Sequence, residues 1–160
     1  MSEIVKIVKR REVIKKKAVF KIDKIYSKTK DEIKNRRYEY TEKERTLKQT
    51  KKGDFFKAIL LGQRKFDDLV KFHIQVELIA ENIKQGKIDE QLTEMGDFKA
   101  VLSAWLELDF LNKWNKNAAG KFLFKVYMNY IIKNKIDHYY TVKLLEDFNE
   151  IHDILKEQIE

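Results

Sequence analysis

Three histidines, His73, His138 and His152, are the side chains in this sequence best suited to metal binding or proton transfer. His73 and Glu77 lie four residues apart, so on a helix they would share one face and could hold a metal ion together. Two ligands do not make a metal site, and the HExxH pattern of zinc hydrolases is absent. We therefore favour a histidine on a helix surface or at an interface, and we expect neither a metal nor another cofactor.

Adjacent carboxylates also fail to make a catalytic pair. Asp67 and Asp68 are neighbours in the sequence, as are Glu146 and Asp147, so on a helix their side chains would point in different directions. Glycine-rich phosphate loops and the GxSxG nucleophile motif are missing, and the chain has no cysteine. These features predict a protein that is not an enzyme and whose carboxylates are solvated.

A concentration of positive charge near the N-terminus is the clearest chemical signal. Residues 1–53 hold 19 Lys or Arg against 8 Asp or Glu, whereas residues 54–160 hold 15 against 18. Such asymmetry favours a polyanionic partner, either a nucleic acid or an anionic membrane surface. The apolar stripe of residues 4–26 is interrupted by Arg11 and Lys21, which disfavours the membrane. We therefore expect a nucleic acid, DNA or RNA, bound through its phosphates without sequence readout. The candidate contacts are Lys9, Arg10, Arg11, Lys15, Lys16, Lys17, Arg36, Arg37, Lys43, Arg45, Lys48, Lys51 and Lys52.

Other partners fit the same charge pattern. A small helical adaptor or inhibitor would dock a protein on an apolar helix and use the basic residues to steer association. Filamentous nucleoprotein coats also combine a basic arm with a helical bundle, so a coat-like subunit or another homo-oligomer is a further alternative. Aromatic side chains could stack bases, as in single-strand binders, but packing in the core is favoured for Trp105, Trp114 and the tyrosines from Tyr127 to Tyr140.

The elements that would position these residues are predicted to be helices. Proline is absent and only five glycines occur, so β-turns should be scarce. Apolar residues from Asp54 to Gly86 recur at spacings of three, four and seven, which predicts one long helix or two helices broken at Gly62. Further helices are expected over residues 97–114 and 118–134, and a last one from Asp137 or Thr141 to Ile159. The fold class is thus all-α, a helical bundle of about four core helices.

Residues 1–53 are expected to form a basic N-terminal arm outside this bundle, which would occupy residues 54–160. Residues 4–26 fit an amphipathic basic helix, and the competing interpretation is a short strand through Val19, Phe20 and Ile22. The rest of the arm has little to bury and is predicted to be helical but mobile, or to be ordered by a partner. A chain that starts at Gly53 is therefore expected to fold by itself.

The predicted helix over residues 118–134 is apolar on nearly all sides. A helix with so little polar surface should lie at the centre of the fold or at a subunit interface, so a charge placed at Tyr127 or Ile131 should unfold the domain or dissociate an oligomer. Elsewhere, neither a secretion signal nor an apolar run long enough to span a membrane is found. We expect no membrane span and a cytoplasmic location.

Overall fold

Alternating burial, the period of a β-strand, is clearest in three segments between residues 55 and 108. The structure is a computed structural model that describes residues 3–88, 90–108, 117–127, 129 and 133–159. In chain order its elements are β1 (Glu3–Phe20), α1 (Ile22–Asn35), β2 (Glu39–Thr50), β3 (Gly53–Lys65), β4 (Val70–Ile88), β5 (Gln91–Leu108), α2 (Ala118–Tyr127), α3 (Lys133–Lys135), a π-helix (Ile136–Tyr140) and α4 (Thr141–Gln158).

β5 shows the strand pattern most clearly. From Phe98 to Leu108 every second side chain is buried, and the side chains between them are partly exposed. Since successive side chains of a strand point to opposite faces, one face of β5 is wholly apolar. The buried residues on that face are Phe98, Ala100, Leu102, Ala104, Leu106 and Leu108.

The five strands form one antiparallel sheet in the order β1-β5-β4-β3-β2. β2 to β5 follow one another as a meander, whereas β1 pairs with β5 from Glu3, opposite Leu108, to Phe20, opposite Glu94. α1 therefore connects the strands at the two edges of the sheet. The N-terminal third of the chain supplies both of those edge strands.

α1 and α4 close the core over one face of the sheet. Both helices contact the strands as well as each other. Their buried apolar side chains are Ile22, Ile25 and Ile33 in α1 and Leu144, Phe148, Ile151 and Leu155 in α4. In the described part of the chain, the opposite face of the sheet carries partly exposed side chains and no packed helix; we call it the open face.

The prediction of an all-α helical bundle is wrong, because the described chain is mostly antiparallel sheet. The helix expected from Asp54 to Gly86 is instead the hairpin of β3 and β4. Its supposed helical stripe included Ile59, which lies on the open face, and passed over Leu60 and Ile74, which are fully buried. Apolar residues on both faces of the sheet produced the spacings of three and four.

The helical N-terminal arm is also corrected. Only residues 22–35 of this region are helical, and β1 and β2 flank them. The competing strand through Val19 and Phe20 is right for the end of β1, which extends back to Glu3. Residues on both sides of the proposed boundary at Gly53 belong to one sheet, since β2 pairs with β3 across it.

Other helical predictions have mixed outcomes. Residues 97–108 belong to β5, and the remaining part of that predicted helix, 109–114, lies outside the described residues. α4 is confirmed with its predicted buried face, and α2 begins where it was expected.

α2 is not central. Phe122 and Leu123 are 67% and 56% exposed, so the central placement is wrong. The expected core positions Met128, Tyr130, Ile131 and Ile132 lie outside the described residues. Across the described ranges, no helix combines the length and the apolar character that crossing a membrane requires.

Candidate functional site

The middle of the open face carries charged side chains that neutralise one another. Lys57 of β3 lies between Glu44 of β2 and Glu77 of β4, with Nζ to carboxylate distances of 3.7 and 3.5 Å. Lys99 of β5 pairs with Glu12 of β1 at 3.6 Å. Both lysines thus have acidic partners, so this part of the open face offers little net charge to a polyanion.

Trp105 and His73 form an aromatic pair at one end of the open face. They lie opposite each other on β5 and β4, and their rings stack with centroids 5.1 Å apart and planes 5° apart. The His73 Nε2 is 2.8 Å from Glu107 Oε2, and its Nδ1 is 3.4 Å from the amide nitrogen of Gln63. An amide nitrogen only donates, so Nδ1 accepts and the proton on Nε2 is donated to Glu107. These two bonds fix the imidazole against the indole.

Burial keeps His73 neutral. Only 6% of its surface is exposed. Desolvation lowers the pKa of His73 below its usual value, and the Glu107 carboxylate acts in the opposite direction without reversing the shift. The imidazole therefore serves as a neutral hydrogen-bonding ring near neutral pH.

Acidification should destabilise the protein through His73. The unfolded chain takes up the imidazole proton near the usual pKa of about 6.5, whereas the folded protein takes it up at lower pH, so stability is lost as the pH falls below about 6.5. In His73→Gln, the fall in melting temperature between about pH 7.5 and about pH 5.5 should be smaller than in the wild type. Equal falls in the two proteins would contradict a buried, neutral imidazole.

A cavity of about 300 Å³ lies beside Trp105. It forms where β1 loses its register with β5, with register shifts on both sides of Val8. Such bulges bend a strand and re-aim its side chains. Lys6 lies directly opposite Trp105 in the pairing of the two strands. The lining residues are Ile4, Lys6, Val8, Lys9, Ser103, Ala104 and Trp105.

The predicted phosphate contacts on β1 do not share one surface. Arg11 turns towards the helices, where its guanidinium lies 4.9 Å from the centroid of the Phe148 ring. Lys15 also points that way and donates to the backbone carbonyl of Ile159 at 2.8 Å. Exposed positions on this strand are held by Lys9, Arg10, Lys16 and Lys17.

The remaining predicted contacts lie on the far side of the sheet. Arg36, at the end of α1, forms ion pairs with Asp147 and Glu150 of α4 and is 20% exposed. Arg45 stacks 5.0 Å from the centroid of the Tyr26 ring. Arg45 is nevertheless exposed, as are Arg37, Lys43, Lys48, Lys51 and Lys52. Since three strands separate β1 from β2, the basic residues within these two strands are ~19 Å apart at a strand spacing of ~4.8 Å. Lys52, in the turn after β2, is the exception, because it lines one cavity together with Lys17.

The position of the basic residues on the two edge strands gives them a structural role, which is to oppose pairing with another chain. An edge strand presents unpaired backbone groups that can pair with another chain, and lysines and bulges on the edge oppose such pairing. β1 and β2 are both edge strands, and both carry lysines and register shifts. Positive charge in residues 1–53 therefore follows in part from the position of these strands in the sheet.

Sequence reasoning identified Lys9 but missed the other residues around the Trp105 cavity. Trp105 was assigned to the buried face of a helix, and Lys6 was not among the candidate contacts. The alternation of Ser103, Trp105 and Glu107 with buried residues was the available signal, since it has the period of a strand with one open face.

Within the described ranges of the chain, the contacts of the carboxylates and of the other two histidines do not indicate catalysis. Asp67 is not simply solvated: Oδ1 accepts from the backbone amides of Leu69 and Val70, and Oδ2 accepts from the Tyr140 hydroxyl, each at 2.8 Å. His138 is exposed. Among the described residues, no group of three His, Asp or Glu side chains is placed to hold a metal ion.

No protein-family model matches this chain, and no curated protein shows significant similarity to it. The chemistry of the open face therefore rests on its own residues.

Proposed function

We propose that this protein binds single-stranded nucleic acid without reading its sequence, through the Trp105 cavity and the β1 edge beside it. The observation that supports this most directly is the lining of that cavity, which combines an indole with Lys6 and Lys9. Proteins that bind single strands combine aromatic stacking surfaces with a basic groove. No catalytic step is included in the proposal.

Stacking on Trp105 is the first part of the proposed interaction. His73 covers the indole from the β4 side, and the cavity lies on the β1 side, where Lys6 is the register partner. A volume of about 300 Å³ is at the lower limit of small-ligand pockets, so it suits one planar group. Stacking of one base on an aromatic ring contributes about 1–3 kcal/mol and tolerates any base.

Phosphate contacts from β1 are the second part. Lys6 and Lys9 are exposed, and within the described residues neither forms an ion pair. Each single-strand phosphate contact adds about 0.7 to the slope of log K against log salt concentration. Because these lysines stand at the edge of the sheet, a strand can pass the cavity without crossing the acidic residues in the middle of the open face.

Single strands should be preferred to duplexes. A base can enter the cavity only when it is unpaired and unstacked, and the paired bases of a duplex are not free to do so. The neutral middle of the open face also offers no continuous basic surface to a duplex backbone. Preference for single strands therefore separates this proposal from simple attraction between a basic protein and any polyanion.

Docking of a protein on the middle of the open face is the second candidate function. Ile59, Ile79 and Val101 are partly exposed there, and Ile14 at its edge is 56% exposed. In such an interface the aliphatic side chains would form the apolar centre and charged side chains the polar rim. If docking of a protein is the function, the chain should not bind oligonucleotides. The experiment below therefore distinguishes protein docking from nucleic-acid binding.

Anisotropy of a fluorescent oligo-dT strand, measured over a salt series, tests the nucleic-acid proposal. Trp105→Ala should weaken binding by about 5- to 150-fold, the equivalent of about 1–3 kcal/mol. Lys6→Gln combined with Lys9→Gln should lower affinity and reduce the salt slope by up to about 1.4. Trp105→Phe should retain most of the affinity, since it keeps an aromatic ring.

The matched charge control combines Lys28→Gln and Lys143→Gln, two exposed positions on α1 and α4. This control should leave both the affinity and the preference for single strands nearly unchanged. Undetectable binding by the wild type, tighter binding of a duplex of the same length, or an unaltered affinity in Trp105→Ala would each reject the proposal.

A further inference from the structure

A second cavity, of about 550 Å³, lies at the opposite end of the sheet. On β5 its residue Gly96 is nine positions from Trp105, or ~30 Å at the rise of a strand. Three lysines line it, from β1, from the turn between β2 and β3, and from β4. The lining residues are Lys17, Lys52, Asn82, Lys84, Met95, Gly96 and Asp97.

Asp97 holds together the two bulges that shape this cavity. Its Oδ1 accepts from the backbone amide of Lys17 at 3.1 Å, and its Oδ2 accepts from the side-chain amide of Asn82 at 3.1 Å. β1 shifts register between Lys15 and Ala18, and β4 shifts between Glu81 and Lys84. The Asp97 carboxylate therefore has a structural role, because its two oxygens hold the two bulged segments in place.

Two glycines let the β4 bulge fit. A Cβ on Gly96 would lie 2.7 Å from the carbonyl oxygen of Glu81, and a Cβ on Gly53 would lie 2.7 Å from the carbonyl carbon of Asn82. These distances are below any normal contact, so a side chain at either position would displace the bulge. The close approach of three backbone segments is thus built into the sequence at this end of the sheet.

Two of the four non-glycine residues with positive φ in the described chain lie at this cavity. Lys17 and Asn82 have φ angles of 52° and 55°, and Gly53 has 134°. Asn tolerates the left-handed region, but Lys does so rarely, and glycine would occupy that position without strain. Strained residues cluster at ligand clamps and active sites. A long cationic side chain is therefore present at a position where the backbone alone would favour glycine.

We infer that this cavity binds a compact phosphate-bearing anion, a diphosphate or triphosphate group, through the ammonium groups of Lys17, Lys52 and Lys84. Lysine binds phosphate as a point charge, and within the described residues none of the three ammonium groups forms an ion pair. The cavity lining combines these three positive charges with the one negative charge of Asp97, so its net charge is +2. Lys16 lies close enough to act on the Asp97 carboxylate and adds to the positive potential.

This inference does not rest on the function proposed for the Trp105 cavity, because it uses different residues at the other end of the sheet. The phosphate group has two possible sources, a free polyphosphate-type anion or the phosphorylated 5′ end of a nucleic-acid strand. Both present the same chemistry to the lysines, and separate arms of one experiment distinguish them.

Isothermal titration calorimetry with sodium tripolyphosphate at low salt is the first arm. The wild type should bind, and the combination of Lys17→Gln, Lys52→Gln and Lys84→Gln should weaken binding by about tenfold or more. A control combination of Lys28→Gln, Lys143→Gln and Lys156→Gln removes the same charge from exposed helix positions and should bind like the wild type. No binding by the wild type, or equal losses in the two triple variants, would refute the site.

Lys17→Gly separates binding from folding. Glycine relieves the left-handed backbone, so the melting temperature should be unchanged or higher, while tripolyphosphate affinity should fall severalfold. Unchanged affinity would remove Lys17 from the site and overturn the inference as stated.

The second arm compares a 5′-triphosphorylated oligonucleotide with the same strand ending in a 5′-hydroxyl. Tighter binding of the triphosphorylated strand, lost in the Lys17, Lys52 and Lys84 combination, identifies a strand end as the source. Equal binding of the two strands, together with retained tripolyphosphate binding, identifies a free anion.

Discussion

A chain that starts at Gly53 should show no cooperative unfolding transition. It lacks β1, α1 and β2, whose buried side chains include Val13, Phe20, Ile25 and Ile33. Each of these contributes about 1.5–3 kcal/mol by burial, so their sum rivals the whole stability of a domain, about 5–15 kcal/mol. Thermal melting followed by circular dichroism would check this expectation, which is the reverse of what the all-α interpretation predicted.

Adding the missing part back provides the control. A separate peptide of residues 1–52 should restore a cooperative transition to the truncated chain, because β5 and β3 would regain the partners they lose at the two edges of the sheet. Without that peptide, β5 becomes an unprotected edge with an apolar face, which favours aggregation. A sharp melt by the truncated chain alone would mean that residues 53–160 form an independent domain.

Phe148→Ala should cost about 3–5 kcal/mol of unfolding free energy. Phe148, on the buried face of α4, is fully buried in the core, and the guanidinium of Arg11 lies 4.9 Å from the centroid of its ring. Truncation to Ala leaves a cavity and also removes the aromatic face beneath that cation. Urea denaturation should show a lower midpoint with a nearly unchanged slope, since little else of the folded surface changes.

Phe122→Ala is the matched control, because it makes the same chemical change on α2, where Phe122 is 67% exposed. Its effect should stay within about 0.5 kcal/mol, as for other surface substitutions. Similar losses in the two variants would contradict the placement of α4 in the core and α2 at its margin.

The last helix, α4, could be predicted because its buried residues lie on one face. In α4, Leu144, Phe148, Ile151 and Leu155 are buried at steps of four, three and four, which is the period of one helix face. Apolar residues away from this face, such as Val142, are few. The strands were missed because the sheet carries aliphatic side chains on both faces. Ile59 and Ile79 lie on the open face, whereas the residues next to them in sequence are buried, and together these apolar residues create helical spacings.

Strand length and turn composition added to that error. β4 spans 19 residues and β5 spans 18, far beyond the usual strand of about 5–6, so long periodic segments indicated helices. Turns were expected to need Gly or Pro, but Asp67 builds the turn before β4 by accepting the amides of Leu69 and Val70. Scarce Gly and Pro therefore did not exclude a β-sheet.

The candidate site depended on information that a single sequence lacks. Lys9 and Arg10 could be identified as candidate contacts from the sequence. Their distance from Lys43 and Lys48 could not, because it depends on the strand order, which is decided by pairing between residues far apart in the sequence. Trp105 acquires a basic neighbour only because β1 pairs with β5 and places Lys6 opposite the indole. Local periodicity does not report such pairs.

The pairing of β1 with β5 has a consequence during synthesis. Of the five strands in this sheet, β1 leaves the ribosome first, yet its partner β5 is complete only at Leu108. At about 5–20 residues per second, β1 waits about 5–20 s for β5. Its lysines keep it solvated during that delay. Each strand of the β2–β5 meander meets its predecessor as it emerges, so folding should begin there and end when β1 closes on β5, the contact with the greatest loop-closure cost.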